Sequence, residues 1–390
     1  MTRYMSSTSE PKYELIFEAC KQEPDSVLLE TYGHEINNWL EVLDTAYVHG
    51  VLPLVYKAVK NLSLPPDALQ LFKAENLKIA QSNIQMSSEL VRIAKLLDAY
   101  GISYMALKGP VLSNLIHGDA IQRQYTDLDI LIEKNTIKSV GKLLYEEGYA
   151  SEHPVSFLEN KTLLDIGKDF TFRHEKSGIF LEVHWNLFID RFIKNSSMNL
   201  FTPNALSSEI NGYTVKTLDL EYLLVYLCLH GSQHFWERIS WVVDIDRLLR
   251  RHPECDWDKV QCIIQDVKIA SKFYLGLAVV KQMFNPDLPE EIERKLIPLS
   301  RARDQVFRFQ FSREKETMNP KYRKRRVIHN KTLITDSRFD AFRNYTHMLF
   351  RIKEEDIYMM NLPYVLSPLY YLLRQARLIR VFFTSLGKNQ

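Results

Sequence analysis

Two aspartates stand two residues apart in an otherwise apolar run, "TDLDILI" at 126 to 132. In a strand, Asp127 and Asp129 share one face while Leu128, Ile130 and Ile132 share the other. The apolar face can pack, but the acidic face needs a partner. Two carboxylates that close push each other's pKa apart unless water, a basic group or a metal ion compensates. A third acid occurs in "IFLEVHW" at 179 to 185, where alternation places Phe180, Glu182 and His184 on one face. Ile179, Leu181, Val183 and Trp185 fall on the other. Three carboxylates on neighbouring strands form a hard-oxygen site for Mg²⁺ or Mn²⁺, ions that combine carboxylates with substrate phosphates. Two such ions about 4 Å apart support an in-line displacement at phosphorus. His184, on the Glu182 face, can contact a phosphate or accept a proton.

Upstream lies "LKGP" at 107 to 110, a strand end running into a helix start. A helix N-terminus offers free N–H donors, and Gly109 lets a phosphate approach the backbone. Proline suits the first helical turn, because its missing N–H has no helical partner there. Lys108 and Arg123 add positive charge, the arginine in a bidentate geometry. Asp165, Asp169 and Glu175 are nearer in sequence to the aspartate pair than Glu182 is. Asp165 and Glu175 read as loop or turn carboxylates, which are normally solvated. Asp169 opens a strand and is the serious rival for the third acid.

The elements that position these residues can be read from periodicity. The first hundred residues read as helices, one of them from about Pro66 to Tyr100 with Leu90, Ile93, Ala94 and Leu97 on one stripe and Gly101 at its end. Strands are expected at 103–107, 126–132, 169–174 and 179–185. The last two, separated by "EKSG", should form a hairpin. A helix over "NTIKSVGKLLYEEGY" should start on an Asn135 cap and stop at Gly148. From about Leu218 the pattern is helical. The expected class is α+β: helices over 1–100, a small mixed-sheet core over 101–217, and a helical region over 218–390.

With 46% hydrophobic and 25% charged residues and a net charge of +2, the chain is neither disordered nor a generic polyanion binder, so no specific nucleic acid is expected as a partner. The four cysteines form no CxxC pair, which fits a reduced compartment and no thiolate zinc site. The N-terminus has no apolar signal-peptide core, and no run of about 20 uncharged apolar residues occurs, so a cytoplasmic location is expected.

The order strand, Gly, helix, Asp-x-Asp strand and later acidic strand resembles the polymerase-β-like nucleotidyltransferase superfamily. More closely, "LKG", "TDLDILI", "LEVHWNLF", "LHGSQHFWERISWVVDIDRLL" and the "DW" at 256 to 257 resemble an uncharacterised bacterial nucleotidyltransferase family, often associated with surface-polysaccharide and peptide natural-product gene clusters. The similarity runs from about residue 75 to 285, with a weaker echo in the basic C-terminus. It implies that Asp127, Asp129 and Glu182 hold metal, that the Gly109 turn faces the triphosphate of an NTP, and that a nucleoside monophosphate passes to an unidentified acceptor. The usual pattern follows the Gly with Ser; here Pro110 follows it and Lys108 precedes it. Two other classes fit Asp-x-Asp: a sugar-nucleotide glycosyltransferase, which the mostly helical upstream region disfavours, and a silent binding module of the same fold.

His230 and His234, at i and i+4 of an expected helix, lack a third zinc ligand and read as packed or hydrogen-bonded helix residues; a functional role would have them border the acceptor cleft rather than hold zinc. "KYRKRR" at 321 to 326 reads as a solvated basic face. In "YVLSPLYYLLRQARLIRVFF", Arg374, Arg377 and Arg380 recur every three residues among apolar ones. That pattern excludes a spanning helix and leaves two readings: a helix packed on its own domain with snorkelling arginines, or an interfacial helix on anionic lipid, which would place the protein peripherally at the inner membrane face.

Overall fold

The computed structural model describes residues 10–151, 153–187, 204–311, 342, 346 and 350–386; the basic run at 321 to 326 lies outside them. Four short helices come first: α1 (Pro11–Ala19), α2 (Ser26–His34), α3 (Trp39–Val48) and α4 (Leu52–Val59). Asp25 starts α2 by accepting from the Val27 and Leu28 N–H groups, and Asn38 starts α3 by accepting from Leu40 N–H. The long α5 (Pro66–Ala99) follows. Leu90, Ile93, Ala94 and Leu97 are all buried along it, as the stripe requires, and Gly101 at φ +65° turns the chain away.

Next comes the sheet, with β1 (Tyr104–Ala106), α6 (Gly109–His117), β2 (Asp127–Ile132), α7 (Ile137–Glu146), β3 (Tyr149–Ser151), α8 (Lys161–Ile166), β4 (Asp169–His174) and β5 (Phe180–His184). Its order is β1-β2-β5-β4-β3, and only β2 and β5 run parallel. The expected hairpin is β4–β5. Leu128, Ile130 and Ile132 are buried beneath β2 with Leu181 and Val183 of β5. Each such side chain stabilises the fold by about 1.5–3 kcal/mol, which fixes which way the acids face.

Two local expectations fail. Asn135 does not cap α7: a 3₁₀ turn at Lys134–Thr136 comes first, in which the Thr136 hydroxyl donates to Glu133 O at 2.8 Å. This tighter turn leaves Thr136, without a side-chain cap, at the helix start. Asp165 lies on α8 rather than in a loop, and is held by Lys134 Nζ at 2.7 Å and the Tyr364 hydroxyl at 2.9 Å.

A two-stranded unit, β6 (Ser207–Ile210) and β7 (Tyr213–Lys216), leads to α9 (Leu220–Gln233), α10 (Ile239–Arg251), α11 (Trp257–Asp266), α12 (Ala270–Phe284), α13 (Glu290–Leu296) and α14 (Ser300–Gln310). Packing does not follow chain order. Helices α1 to α4 share one core with α9 to α14, while the sheet forms a second core with the end of α5 and with Ile352, Ile357 and Tyr370 from the last part of the chain.

That last part includes α15 (Glu354–Met359) and α16 (Tyr370–Leu386). The Tyr370 hydroxyl donates to Met360 O at 2.9 Å and accepts from Leu362 N–H at 2.8 Å. The arginines of α16 do not form one outward row. Arg374 is buried, and Arg377 Nε lies 2.6 Å from Asp356, an ion pair whose angle misses a hydrogen bond. A buried carboxylate on α15 draws Arg377 inward, so the helix is packed on its own chain at this point. Among the described residues, no helix is long and apolar enough to cross a membrane.

Candidate active site

Register brings the acids together. In the parallel β2–β5 pair, Asp127 stands opposite Phe180, and Asp129 stands opposite Glu182. Ligand atoms of Asp129, Glu182 and His184 lie within 4.8 Å of one another. His184 Nε2 is 3.0 Å from Asp129 Oδ1 and 3.3 Å from Glu182 Oε2. Two carboxylates and an imidazole suit Mg²⁺ or Mn²⁺, the nitrogen favouring the transition ion. Asp127 lines the same cleft but stands outside this group.

Asp169, the rival acid, reaches the cluster only through the ring's other side. Its Oδ2 is 3.5 Å from His184 Nδ1 and is paired with Lys168. No hydrogen bond joins the two, so Asp169 flanks the ring without fixing it.

Gly109 has φ +61°, and a Cβ there would lie 3.8 Å from Asp127 O. The turn lies against the start of β2 and is buried; it is not part of the cleft wall. Its effect is to aim Lys108 into the cleft. Lys108 Nζ sits 3.3 Å from Asp129 Oδ2 and over the Tyr226 ring. The helix behind it has no side-chain cap, because the cap residue is Lys108 itself; Pro110, where a hydroxyl residue is usual, lies in the first turn.

Arg123 is committed elsewhere than a free phosphate-binding arginine would be. Its Nε and Nη2 donate to the buried carboxylate of Asp244 on α10, at 2.8 and 3.0 Å. It still borders the cleft and contributes positive charge there.

The electrostatics separate two chemically identical groups. Burial and the Asp129 charge push the Asp127 carboxyl up against the pull of Lys108. Burial also acts on Asp129, but Lys108 and the His184 hydrogen bond outweigh it and hold that carboxyl well below the usual range. For His184, burial favours the neutral ring, while its bonds to Asp129 and Glu182 prevail and raise it.

The cleft encloses about 630 Å³ between the acidic face of the sheet and helices α9 and α10. Tyr226 and His230 of α9, His234 just past its end and Trp241 of α10 form its far wall. The His230 ring centroid is 5.0 Å from that of His234 and 4.9 Å from that of Trp241. Burial, then Lys108 and His234, hold His230 well below its ordinary value, so it is a neutral wall residue. Lys168, Lys272 and Arg351 bring further positive charge. Sequence reasoning missed these three, along with Tyr226, Trp241 and Asp244. A signal existed for Tyr226, one turn before His230 on the same helix face. Trp241 and Asp244 lie within the family motif at 229–249, but nothing local links Asp244 to Arg123, 121 residues away.

Two solved structures resemble the chain. One is a lincosamide antibiotic adenylyltransferase, LnuA, with lincomycin bound: 17% identical, TM-score 0.29, covering 41% of this chain and 94% of that one. The other is an antigenic nucleotidyltransferase-like protein from Paracoccidioides brasiliensis: 17% identical, TM-score 0.34, covering 56% and 93%. No curated protein matches. Residues 35–285 match the family described as "Uncharacterised nucleotidyltransferase", starting well before the stretch that carries the sequence motifs. Since this match spans more than half of the 390 residues and includes the acidic strands and both helices over the cleft, the chain belongs to that nucleotidyltransferase family.

Proposed function

We propose that the protein transfers a nucleoside monophosphate from an NTP to a hydroxyl or phosphate acceptor, with Mg²⁺ or Mn²⁺ held at Asp127, Asp129 and Glu182. The observation that carries this reading is the Asp129–Glu182 register, which sets two carboxylates side by side on a rigid parallel pair at the edge of a cleft rich in positive charge. An acceptor oxygen bonds to the α-phosphorus, the bond from that phosphorus to the bridging oxygen breaks, and pyrophosphate leaves with the electron pair. The acceptor's proton passes to a carboxylate on this acidic face. A divalent ion bound there supplies the charge that stabilises the departing phosphates.

The chain's own residues position the reactants. Lys108 and Lys168 offer ammonium groups to the phosphates, and Arg123, fixed by Asp244, adds a charge that does not reorganise. Tyr226 and Trp241 offer aromatic surface to a base or an acceptor.

Incubation with each NTP labelled at its α-phosphate, with Mg²⁺ and a small-molecule extract, tests the proposal. Labelled product and pyrophosphate should appear with the wild type and vanish with Asp129→Asn. One observation favours a second reading: Lys108 is ion-paired with Asp129 at 3.3 Å, which offsets part of the acidic charge, as in a silent partner-binding module of the same fold. Nucleotide-independent partner binding, with no pyrophosphate from any NTP, would decide for that reading.

A further inference from the structure

Away from the cleft, a second cavity of about 470 Å³ lies between the N-terminal helices, the end of α6 and the end of α10. Its wall carries four cationic side chains, Lys21, Lys57, Arg247 and Arg251, and one carboxylate, Glu30. Lys21 is paired with Glu18 at 2.5 Å, leaving three cations against one acid, an excess of two positive charges.

Arg247 is the decisive group. It is only 7% exposed. Its Nη2 donates to the carbonyls of Cys20 and Lys21 at 3.0 and 2.7 Å, yet its Nε is buried without a hydrogen-bond partner. An unmade bond at a buried donor costs about 1–3 kcal/mol, more for a charged group, and a site that carries this cost is incomplete. His117, at the end of α6, lines the same cavity. Burial, then Arg247, Arg123, Arg251 and Lys57, push its imidazole down to about 3. It is neutral and reports a positive field that nearby acids do not cancel.

We propose that this cavity binds a small phosphorylated molecule, with the phosphate held by Arg247, Arg251 and Lys57 and the uncharged body resting on Leu29, Leu54 and Ile116. A phosphate dianion matches the excess charge, and guanidinium groups match its geometry. A single carboxylate leaves one positive charge uncompensated. The site is separate from the catalytic one, because no residue lines both cavities. Along α6, Gly109 at the catalytic end and His117 at the other are about 12 Å apart.

Phenyl phosphate, which joins a phosphate to an apolar body, is the probe; phenol and inorganic phosphate are its two halves. Calorimetry on the full chain should show phenyl phosphate binding more tightly than either half. Lys57 and Arg251 are exposed, so substituting them spares the fold. Lys57→Gln and Arg251→Gln should each weaken binding about tenfold, the loss of one charge-assisted contact. Asp129→Asn should leave it unchanged, and His117 ring proton resonances should shift on titration. Absence of binding at millimolar phenyl phosphate overturns the proposal. So does affinity unchanged in the Lys57→Gln/Arg251→Gln double variant, or binding lost in Asp129→Asn, which would place the probe in the catalytic cleft.

Discussion

Asp127 and Asp129 have the same side chain, yet their surroundings drive them in opposite directions, and Glu182 completes the face they form. Glu182→Gln should lower single-turnover pyrophosphate release by about three orders of magnitude, equivalent to about 4 kcal/mol of transition-state stabilisation, with NTP affinity less affected. Asp169→Asn should cost little, since that carboxylate meets the cluster only through His184. Rate and affinity measured side by side test both; a silent Glu182→Gln with a dead Asp169→Asn would reverse the assignment. His117 allows a pH test. Its folded pKa of about 3 lies below the ordinary 6.5, so between these values the unfolded chain takes a proton that the folded chain refuses. Its contribution to stability is thus present above pH 6.5 and lost as pH falls, at no more than about 1.4 kcal/mol per pH unit. Urea titrations at pH 7 and 5 should show that His117→Gln loses less stability than the wild type. At this scale the sequence was informative about the acids, because strand alternation fixes a face. It was silent about the partner of Arg123, which is chosen by folding.

At the scale of elements, Gly109 carries the turn that brings Lys108 to Asp129. A Cβ at Gly109 meets only ordinary contacts, Leu128 at 3.6 Å and Asp127 O at 3.8 Å, so the strain of Gly109→Ala comes from its φ of +61°. That should cost about 1–2 kcal/mol in stability, measured by urea denaturation, and reduce NTP affinity as Lys108 shifts. Arg377→Glu should loosen α16 from α15, because it sets a second carboxylate beside buried Asp356. The expected signs are a lower melting temperature and faster proteolysis near residue 360; anionic-vesicle binding that vanishes with the fold unchanged would instead put Arg377 on the lipid. Helix α5, the β4–β5 hairpin and the start of α6 were legible, because local periodicity and Gly or Pro punctuation determine them. The Asn135 cap was not, since a competing 3₁₀ turn forms in which the Thr136 hydroxyl and N–H both donate to Glu133 O. The inward turn of Arg374 and Arg377 was also hidden, because regular spacing is shared by lipid-facing and packed helices.

For the whole molecule, Arg123–Asp244 ties the loop before β2 to α10 and so sets the width of the cleft. Removing one partner from a buried pair leaves an uncompensated charge, so Asp244→Asn should cost about 3–5 kcal/mol in urea denaturation, while an Arg123→Met/Asp244→Leu pair should recover much of it. The nucleotidyltransferase core and its flanking helices could be expected from sequence, because their patterns are local. The sharing of one core by α1 to α4 and α9 to α14, and the return of Tyr370 to the sheet, could not, since neither leaves a trace in any short window. The proposed reaction requires that β2 and β5 hold a divalent ion together with an NTP. Electron paramagnetic resonance of Mn²⁺ with a non-hydrolysable NTP analogue tests it most directly. Wild-type protein should deplete the free Mn²⁺ signal beyond the level set by the analogue without protein, and Asp129→Asn should not; equal extra depletion by both proteins would contradict the account.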